Sequence, residues 1–106
     1  MIIYIDIDNT IFNTKTLNYE ESTPNLQMIE IANDLYKKGH RIIYWTARGS
    51  KTGIDWYELT RKQLEDGGVL YHELKMGKPA YDLLIDDKSI NNLMLLKNIQ
   101  ENFSKI

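Results

Sequence analysis

Short apolar runs and helical stretches alternate along the chain. The runs typical of buried strands are residues 2–7, Arg41–Trp45, Val69–Tyr71 and Leu83–Ile85. Apolar residues recur at helical spacing after Thr23-Pro24, again after Asp55 and, less regularly, over residues 89–101. Glycines end the first two predicted helices. This alternation predicts an α/β protein with a parallel sheet covered on both faces.

Polar side chains follow three of the predicted strands where each strand ends. Asp6 and Asp8 end the first strand, Thr46 follows the second, and Asp86-Asp87 follow the fourth. Because ligands of open parallel sheets bind at the carboxyl ends of the strands, we expect these groups to meet at one edge. Side chains alternate along a strand, so Asp6 and Asp8 point the same way. Two such carboxylates repel each other unless a cation balances them.

Four carboxylates in one pocket call for a cation, and Mg²⁺ suits an all-oxygen site without Cys or His. A magnesium ion held by few carboxylates keeps positions open for a phosphate. Thr46 adds a hydroxyl, and the amides of Ala47 and Arg48 can point at an anion. The guanidinium of Arg48 offers a planar fork for phosphate. Lys78, in a loop before the fourth strand, would balance the carboxylates and bind the phosphoryl group.

Composition narrows the class of protein. The 106 residues predict one domain, 42% of them are hydrophobic, and the net charge is −2. That charge argues against a nucleic-acid-binding surface. The absence of cysteine excludes disulfides, thiolate catalysis and cysteine-ligated zinc. No signal peptide and no apolar run of about 20 residues is present, so we expect a cytoplasmic protein without a membrane partner.

The residues at the strand ends resemble the motifs of the haloacid dehalogenase-like (HAD) phosphatase superfamily. Asp6-Ile7-Asp8-Asn9-Thr10 resembles its DxDxT signature. Thr46, Lys78 and Asp86-Asp87 match the second, third and fourth motifs in the family's order. The stretches WTARG, ELTRKQLEDGGVLYHEL and GKPAYDLLIDDKSI further resemble small HAD proteins associated with capsule or surface-polysaccharide biosynthesis.

The resemblance implies a catalytic role for each matching residue. Asp6 would be the nucleophile that becomes an aspartyl-phosphate. Asp8 would protonate the leaving oxygen and then activate water. Thr46 and Lys78 would bind the transferring phosphoryl group, with Lys75 and Lys88 as the competing candidates for the lysine.

The resemblance also implies a ligand set for magnesium. Asp6, the carbonyl of Asp8 and Asp86 would hold the ion, and Asp87 would contact it directly or through water. The motifs lie 46 − 8 = 38 and 78 − 46 = 32 positions apart. Neither interval can house a cap domain, so the chain resembles the capless class. We therefore expect a neighbouring subunit to close the site, or an open site with loose specificity.

These observations lead to one prediction of fold and one of function. We expect residues 1–106 to form a single HAD-like phosphatase domain, a small doubly wound, Rossmann-like core with a four-stranded parallel sheet ordered 3-2-1-4. The expected activity is Mg²⁺-dependent hydrolysis of a small sugar phosphate or related metabolite. A phospho-receiver signalling module and a non-catalytic scaffold for a partner enzyme are the alternatives.

Overall fold

A computed structural model describes residues 1–90 of the chain. The strands are β1 (Ile2–Ile5), β2 (Phe12–Asn13), β3 (Thr23–Pro24), β4 (Arg41–Trp45) and β5 (Glu73–Lys75). The helices are α1 (Leu26–Lys37) and α2 (Tyr57–Asp66), and a short 3-10 turn covers Tyr19–Glu21. Neither α1 nor α2 is long and apolar enough to cross a membrane.

Three parallel strands form the main sheet, in the order β1-β4-β5. Ile3 lies beside Ile42, and Ile43 lies beside Glu73. The carboxyl ends of the three strands therefore share one edge of the sheet, as expected for a parallel arrangement. The small strands β2 and β3 pair antiparallel and close a loop over residues 13–23.

The prediction of a doubly wound core is wrong for the described residues, because both helices contribute to one core on a single face of the sheet. That core contains Leu35 of α1 and Leu64 of α2 together with Ile5 and Tyr44. Both crossovers run in the same direction across the order β1-β4-β5, so right-handed connections place both helices on the same side. On the opposite face of β1, alternate side chains such as Ile2 are exposed.

The prediction of a fourth strand, and with it the order 3-2-1-4, is also wrong. Leu83, Leu84 and Ile85 are 76%, 51% and 88% exposed and belong to no strand. Among residues 1–90, β1 pairs with β4 alone in the main sheet. A run of three apolar residues carries too little periodicity to separate a strand from a loop.

The third strand lies later than Val69–Tyr71. Gly68, with φ +70°, ends α2, and the amide of Val69 donates to the Leu64 carbonyl. The amide of Leu70 donates to the side chain of Asn33 on α1. Pairing with β4 begins only at His72, so β5 starts at Glu73.

The first helix also begins later than its Thr23-Pro24 signal. These two residues form β3, and the side chain of Asn25 accepts a hydrogen bond from the amide of Met28 as the N-cap of α1. Most of the predicted helix over residues 89–101 lies outside the described residues.

Candidate functional site

Asp6 and Lys78 form an ion pair at the carboxyl end of the sheet. The Nζ atom of Lys78 lies 3.6 Å from Oδ2 of Asp6. The Lys78 side chain is 13% exposed and that of Asp6 is 40% exposed, so both groups are reachable from a shared opening. The other Asp6 oxygen, Oδ1, accepts a hydrogen bond from the Ile7 amide. Two of the predicted site residues are thus brought together.

Backbone hydrogen bonds fix the position of Lys78. The amide of Thr46 donates to the carbonyl of Lys75, and the amide of Lys78 donates to the carbonyl of Thr46, each at 3.0 Å. The hydroxyl of Ser50 donates to the Lys78 carbonyl at 2.6 Å. The chain leaving β5 is therefore held against the end of β4 and against the loop that follows it.

Lys75, one of the two competing lysines, points away from Asp6. Its ammonium lies 5.6 Å from the centroid of the Tyr4 ring, and Tyr4 packs edge-on against Trp45. Between Lys75 and Lys78, Lys78 is the one that the structure places beside Asp6.

A cavity of about 380 Å³ opens at this ion pair. Asp6, Ala47, Lys51 and residues 78–82 line it. Two ammonium groups and two carboxylates, Asp6 and Asp82, therefore surround one opening. A larger groove of about 520 Å³ runs along α1 and contains none of the predicted site residues.

The loop after β4 is shaped by Gly49, whose φ is +82°. A Cβ atom at this position would collide with the carbonyl group of Ile54, so the close approach of the two segments requires glycine. This turn keeps Ala47 and Lys51 at the cavity while Arg48 points into the protein.

Arg48 is buried and holds Asp8 at two points. Nε lies 3.0 Å from Oδ2 of Asp8, and Nη2 lies 2.7 Å from Oδ1. The side chain of Arg48 is 0% exposed. Nη1 donates to Thr60 and Gln63 on α2, and the guanidinium lies 4.7 Å from the centroid of the Tyr19 ring.

Asp8 also anchors the loop that β2 and β3 close. Its Oδ1 accepts a hydrogen bond from the hydroxyl of Thr14 at 2.6 Å, and that hydroxyl shares a further hydrogen bond with Ser22. Asn9, with φ +61°, turns the chain directly after Asp8. The carboxylate of Asp8 does not line the cavity at Asp6.

Thr46 is 1% exposed, and its hydroxyl oxygen accepts a hydrogen bond from the amide of Arg48 at 3.1 Å. Thr46 is therefore buried and does not line the cavity, whereas the next residue, Ala47, does.

Asp86 and Asp87 lie apart from this arrangement. Both are exposed, and neither lines the cavity at Asp6. A hydrogen bond shared with the Asp87 side chain, assisted by one from the Lys88 amide, holds the pKa of Asp86 below its ordinary value. Within residues 1–90, no three acidic or histidine side chains come close enough to hold a metal ion. In this arrangement Asp86 and Asp87 therefore do not join Asp6 in a group of metal-binding side chains.

Tyr19 lies where the 3-10 turn meets the buried guanidinium. Burial raises the pKa of the Tyr19 hydroxyl, the negative charge of Asp8 raises that pKa further, and the charge of Arg48 opposes the rise. The ring also packs edge-on against Trp56, with 5.2 Å between centroids. The turn is therefore packed against the start of α2.

Three polar residues of the cavity were not expected from the sequence. They are Lys51, Tyr81 and Asp82, which line the opening beside Asp6. Lys51 carries one weak signal, since it lies in the glycine-containing loop after Thr46. Tyr81 and Asp82 lie between Lys78 and the expected fourth strand, within the stretch GKPAYDLLIDDKSI, but they match none of the four HAD motifs. Gln63, which bridges Arg48 and the carbonyl of Tyr19, was expected only as part of a helix face.

Several solved structures are similar to this chain. A crystal structure of a Vibrio cholerae protein, described as an MCSG target, is 25% identical and has a TM-score of 0.82. The match covers 99% of this chain and 98% of that one. The fold therefore recurs over the full length of a second protein.

Two further similar structures belong to the Pnkp1/Rnl/Hen1 complex, which one of them describes as an RNA repair complex. Both matches are 16% identical, with TM-scores of 0.60 and 0.58. They cover 94% and 98% of this chain, which spans only 33% and 31% of those longer chains. At that identity the likeness shows the fold alone. No protein-family model and no curated protein matches the chain.

Proposed function

We propose that this chain hydrolyses phosphomonoesters, with Asp6 as the nucleophile and Lys78 as the group that binds the transferring phosphoryl. The observation that carries the proposal is the 3.6 Å approach of the Lys78 ammonium to the Asp6 carboxylate at the mouth of a cavity. The resemblance of the DxDxT stretch and of Lys78 to HAD phosphatase motifs supports it.

The cavity contains two ammonium groups of the sign that phosphate needs. Lys78 and Lys51 both line it, beside the carboxylates of Asp6 and Asp82, and Ala47 forms part of its wall. A phosphoryl group bound between Lys78 and Asp6 has its negative charge neutralised by the ammonium. Positioning and charge stabilisation supply most of the catalysis in phosphoryl transfer, so a small site suffices.

In the first proposed step, a carboxylate oxygen of Asp6 attacks phosphorus. A new bond forms between that oxygen and phosphorus, the ester bond between phosphorus and the leaving oxygen breaks, and the leaving oxygen takes a proton to become an alcohol. From the resemblance to the DxDxT signature we assign the donation of that proton to Asp8, whose side chain is 22% exposed although it does not line the cavity at Asp6.

In the second step, water attacks the phosphorus of the aspartyl-phosphate. Asp8 takes a proton from that water, orthophosphate leaves, and the Asp6 carboxylate is restored. The two steps return both carboxyl groups to their starting states. Asp8 therefore acts first as acid and then as base.

Magnesium is a separate part of the proposal. Of the expected side-chain ligands, Asp6 lines the cavity, while Asp86 and Asp87 are exposed and do not line it. The arrangement of the described residues does not fit the expected ligand set. The requirement for Mg²⁺ therefore rests on the resemblance and on its own experiment, and neither step above passes through the ion.

For the substrate, we propose a small phosphorylated metabolite such as a sugar phosphate. The test is orthophosphate release by the purified protein from an aryl phosphate, a panel of sugar phosphates and a short oligoribonucleotide with a terminal phosphate. The oligoribonucleotide is included because two similar structures come from an RNA repair complex. We expect the highest kcat/KM for a sugar phosphate. Preference for the oligoribonucleotide would replace the substrate class, and release from none would overturn the proposed activity.

One further observation weighs against the phospho-receiver alternative. Phospho-receivers place their acceptor aspartate on a middle strand, whereas the middle strand here, β4, ends at Trp45 and is followed by Thr46. A non-catalytic scaffold would show no turnover in the same assay. We also propose a cytoplasmic location. We further propose a homo-oligomer whose neighbouring subunit closes the site, and light scattering would detect this oligomer.

A further inference from the structure

We propose that Arg48 is a positioning residue that holds the Asp8 carboxylate in place, and that it does not bind the substrate phosphate. Its kinetic test rests on the proposed phosphatase activity, while a second, spectroscopic test does not. The proposal follows from four features of the guanidinium: its hydrogen bonds, its burial, the segments that hold its orientation, and its contact with Asp8.

The hydrogen bonds of Arg48 leave no donor for a ligand. An arginine side chain has five N–H donors and no acceptor. Nε donates to Oδ2 of Asp8, Nη2 donates to Oδ1 of Asp8 and, at 3.5 Å, to the Ser22 hydroxyl. Nη1 donates to the Thr60 hydroxyl at 3.2 Å and to the Gln63 carbonyl oxygen at 2.6 Å. Binding phosphate would require one of these five contacts to break.

The guanidinium is also enclosed. Its side chain is 0% exposed, and it is not among the residues that line the cavity at Asp6. The ring of Tyr19 covers one face at 4.7 Å. An anion entering the cavity therefore meets Lys78 and Lys51 and does not meet Arg48.

Two segments of the chain, helix α2 and the 3-10 turn, hold the guanidinium in one orientation. The side-chain amide of Gln63 donates to the Tyr19 carbonyl at 2.7 Å while its oxygen accepts from Arg48. The hydroxyl of Thr60 donates to the Trp56 carbonyl at 2.7 Å. Helix α2 provides side-chain acceptors to the guanidinium, and the 3-10 turn holds one of them, Gln63, in position.

The contact with Asp8 is of the kind that fixes a carboxylate. A bidentate arginine–carboxylate pair restrains both oxygens and therefore the rotation of the carboxyl group. Thr14 adds a third hydrogen bond, to Oδ1. A lysine at position 48 would keep the positive charge but would supply a single point of contact, so the carboxyl group could rotate.

Two cations would then have separate tasks. Lys78 neutralises the phosphoryl group, and Arg48 orients the group that transfers protons. Loss of a phosphate ligand weakens binding of substrate and of orthophosphate, whereas loss of a positioning residue lowers kcat at unchanged binding. This difference separates the proposal from the sequence-based expectation that Arg48 binds phosphate.

The kinetic test compares Arg48→Lys and Gln63→Leu with Arg61→Lys, a change at an exposed arginine on the same helix as Gln63. We expect Arg48→Lys to lower kcat by about 10- to 100-fold, as a small misplacement of a reacting group does. Because Arg48 does not bind phosphate in this proposal, the KM and the inhibition constant of orthophosphate should change by less than about twofold. Gln63→Leu should lower kcat by a smaller factor, and Arg61→Lys should change nothing. A rise in KM and in the orthophosphate inhibition constant at unchanged kcat would overturn the proposal.

The second test needs no turnover, so it separates failure of this proposal from failure of the proposed activity. In ¹⁵N NMR spectra of the wild-type protein, the Nε–H of Arg48 should exchange with water far more slowly than that of Arg61. Saturating orthophosphate should leave the resonance in place, and Asp8→Asn should accelerate its exchange. Exchange as fast as that of Arg61, or displacement of the Arg48 resonance by orthophosphate, would contradict the assignment.

Discussion

The ammonium of Lys78 lies 3.6 Å from the carboxylate of Asp6, although 78 − 6 = 72 positions separate the two residues in the chain. Asp6 follows β1 directly, while Lys78 is held by the hydrogen bond from its amide to the Thr46 carbonyl at the end of β4. The pair therefore depends on the register of two strands. Both side chains of the pair are only partly exposed. The ammonium of Lys78 is therefore held in position before a phosphoryl group binds.

Removing the ammonium of Lys78 should lower catalytic activity, whereas removing the ammonium of Lys75 should not. We expect Lys78→Met to lower kcat/KM by about 10²- to 10³-fold, because a preorganised charge at the reacting group is lost. Lys75→Met is the matched control, since Lys75 lies over the Tyr4 ring away from Asp6. Steady-state kinetics with one aryl phosphate measures both. Equal activity of the two variants would show that Lys78 has no special role.

Metal dependence tests the part of the account that rests on resemblance. We expect turnover to stop in EDTA and to return with added Mg²⁺. Because a ligand that binds only the folded protein stabilises it, Mg²⁺ should also raise the melting temperature. Full activity in chelator, with metal absent by elemental analysis, would remove magnesium from the proposal and would leave the roles of Asp6 and Lys78 unchanged.

The strands β1 and β4 could be located from the sequence because each is a short apolar run. The third strand could not, because Glu73–Lys75 is not an apolar run and lies beyond the predicted Val69–Tyr71. The position of Asp6 at the carboxyl end of the sheet could be predicted because this residue directly follows the apolar run of β1. The fourth strand could not be predicted reliably, since the apolar character of Leu83–Ile85 says nothing about whether a neighbour covers them. In the structure these side chains are exposed.

The role of Arg48 could not be read from the sequence for a different reason. Its residue type suits phosphate as well as carboxylate, and the deciding partners come from distant segments. Gln63 and Tyr19 contribute a hydrogen bond and a ring face that no local pattern encodes. The predicted start of the first helix was wrong, because Thr23-Pro24 carries a helix-start signal but forms β3 and pairs with β2.

A buried hydroxyl in the core gives a prediction about stability. Tyr44 is 0% exposed, and within residues 1–90 its hydroxyl has no hydrogen-bond partner. Burial raises the pKa of this hydroxyl far above its ordinary value. Because an unpaired buried hydroxyl costs free energy, Tyr44→Phe should raise the free energy of unfolding by about 1 kcal/mol. Tyr57→Phe, at a residue that is 39% exposed, should leave it unchanged.

Urea unfolding of the two variants beside the wild type measures this difference. A loss of stability in Tyr44→Phe would mean that the hydroxyl has a partner that the described residues do not supply.

His40 makes stability depend on pH near neutrality. Burial, with help from the positive charges of the amino terminus and Lys38, lowers the pKa of His40 from its ordinary 6.5, and its Nδ1 lies 2.9 Å from the Met1 ammonium. The folded protein therefore binds the proton more weakly than the unfolded chain does. The stabilising contribution is complete above about pH 6.5 and is lost as the pH falls through the lowered pKa.

Urea unfolding at a series of pH values between about 7.5 and 5 tests this dependence over the range in which histidine titrates. We expect the wild type to lose stability more steeply than His40→Gln as the pH falls. Parallel curves for the two proteins would show that His40 titrates alike in the folded and unfolded states.

The covalent intermediate is the most direct test of the central claim, that Asp6 is the nucleophile of a phosphatase. The measurement is mass spectrometry of the protein quenched in acid during turnover of an aryl phosphate, followed by peptide mapping, with Asp6→Asn and Asp66→Asn run in parallel. Asp66 is the matched control, because its carboxylate pairs with Lys62 on the exposed side of α2. The account predicts one phosphoryl group on the peptide that contains Asp6 in the wild type and in Asp66→Asn. It predicts none in Asp6→Asn, whose kcat should be at least about 10³-fold lower. A phosphoryl group on another residue, or an Asp6→Asn variant with more than about a tenth of the wild-type kcat, would contradict it.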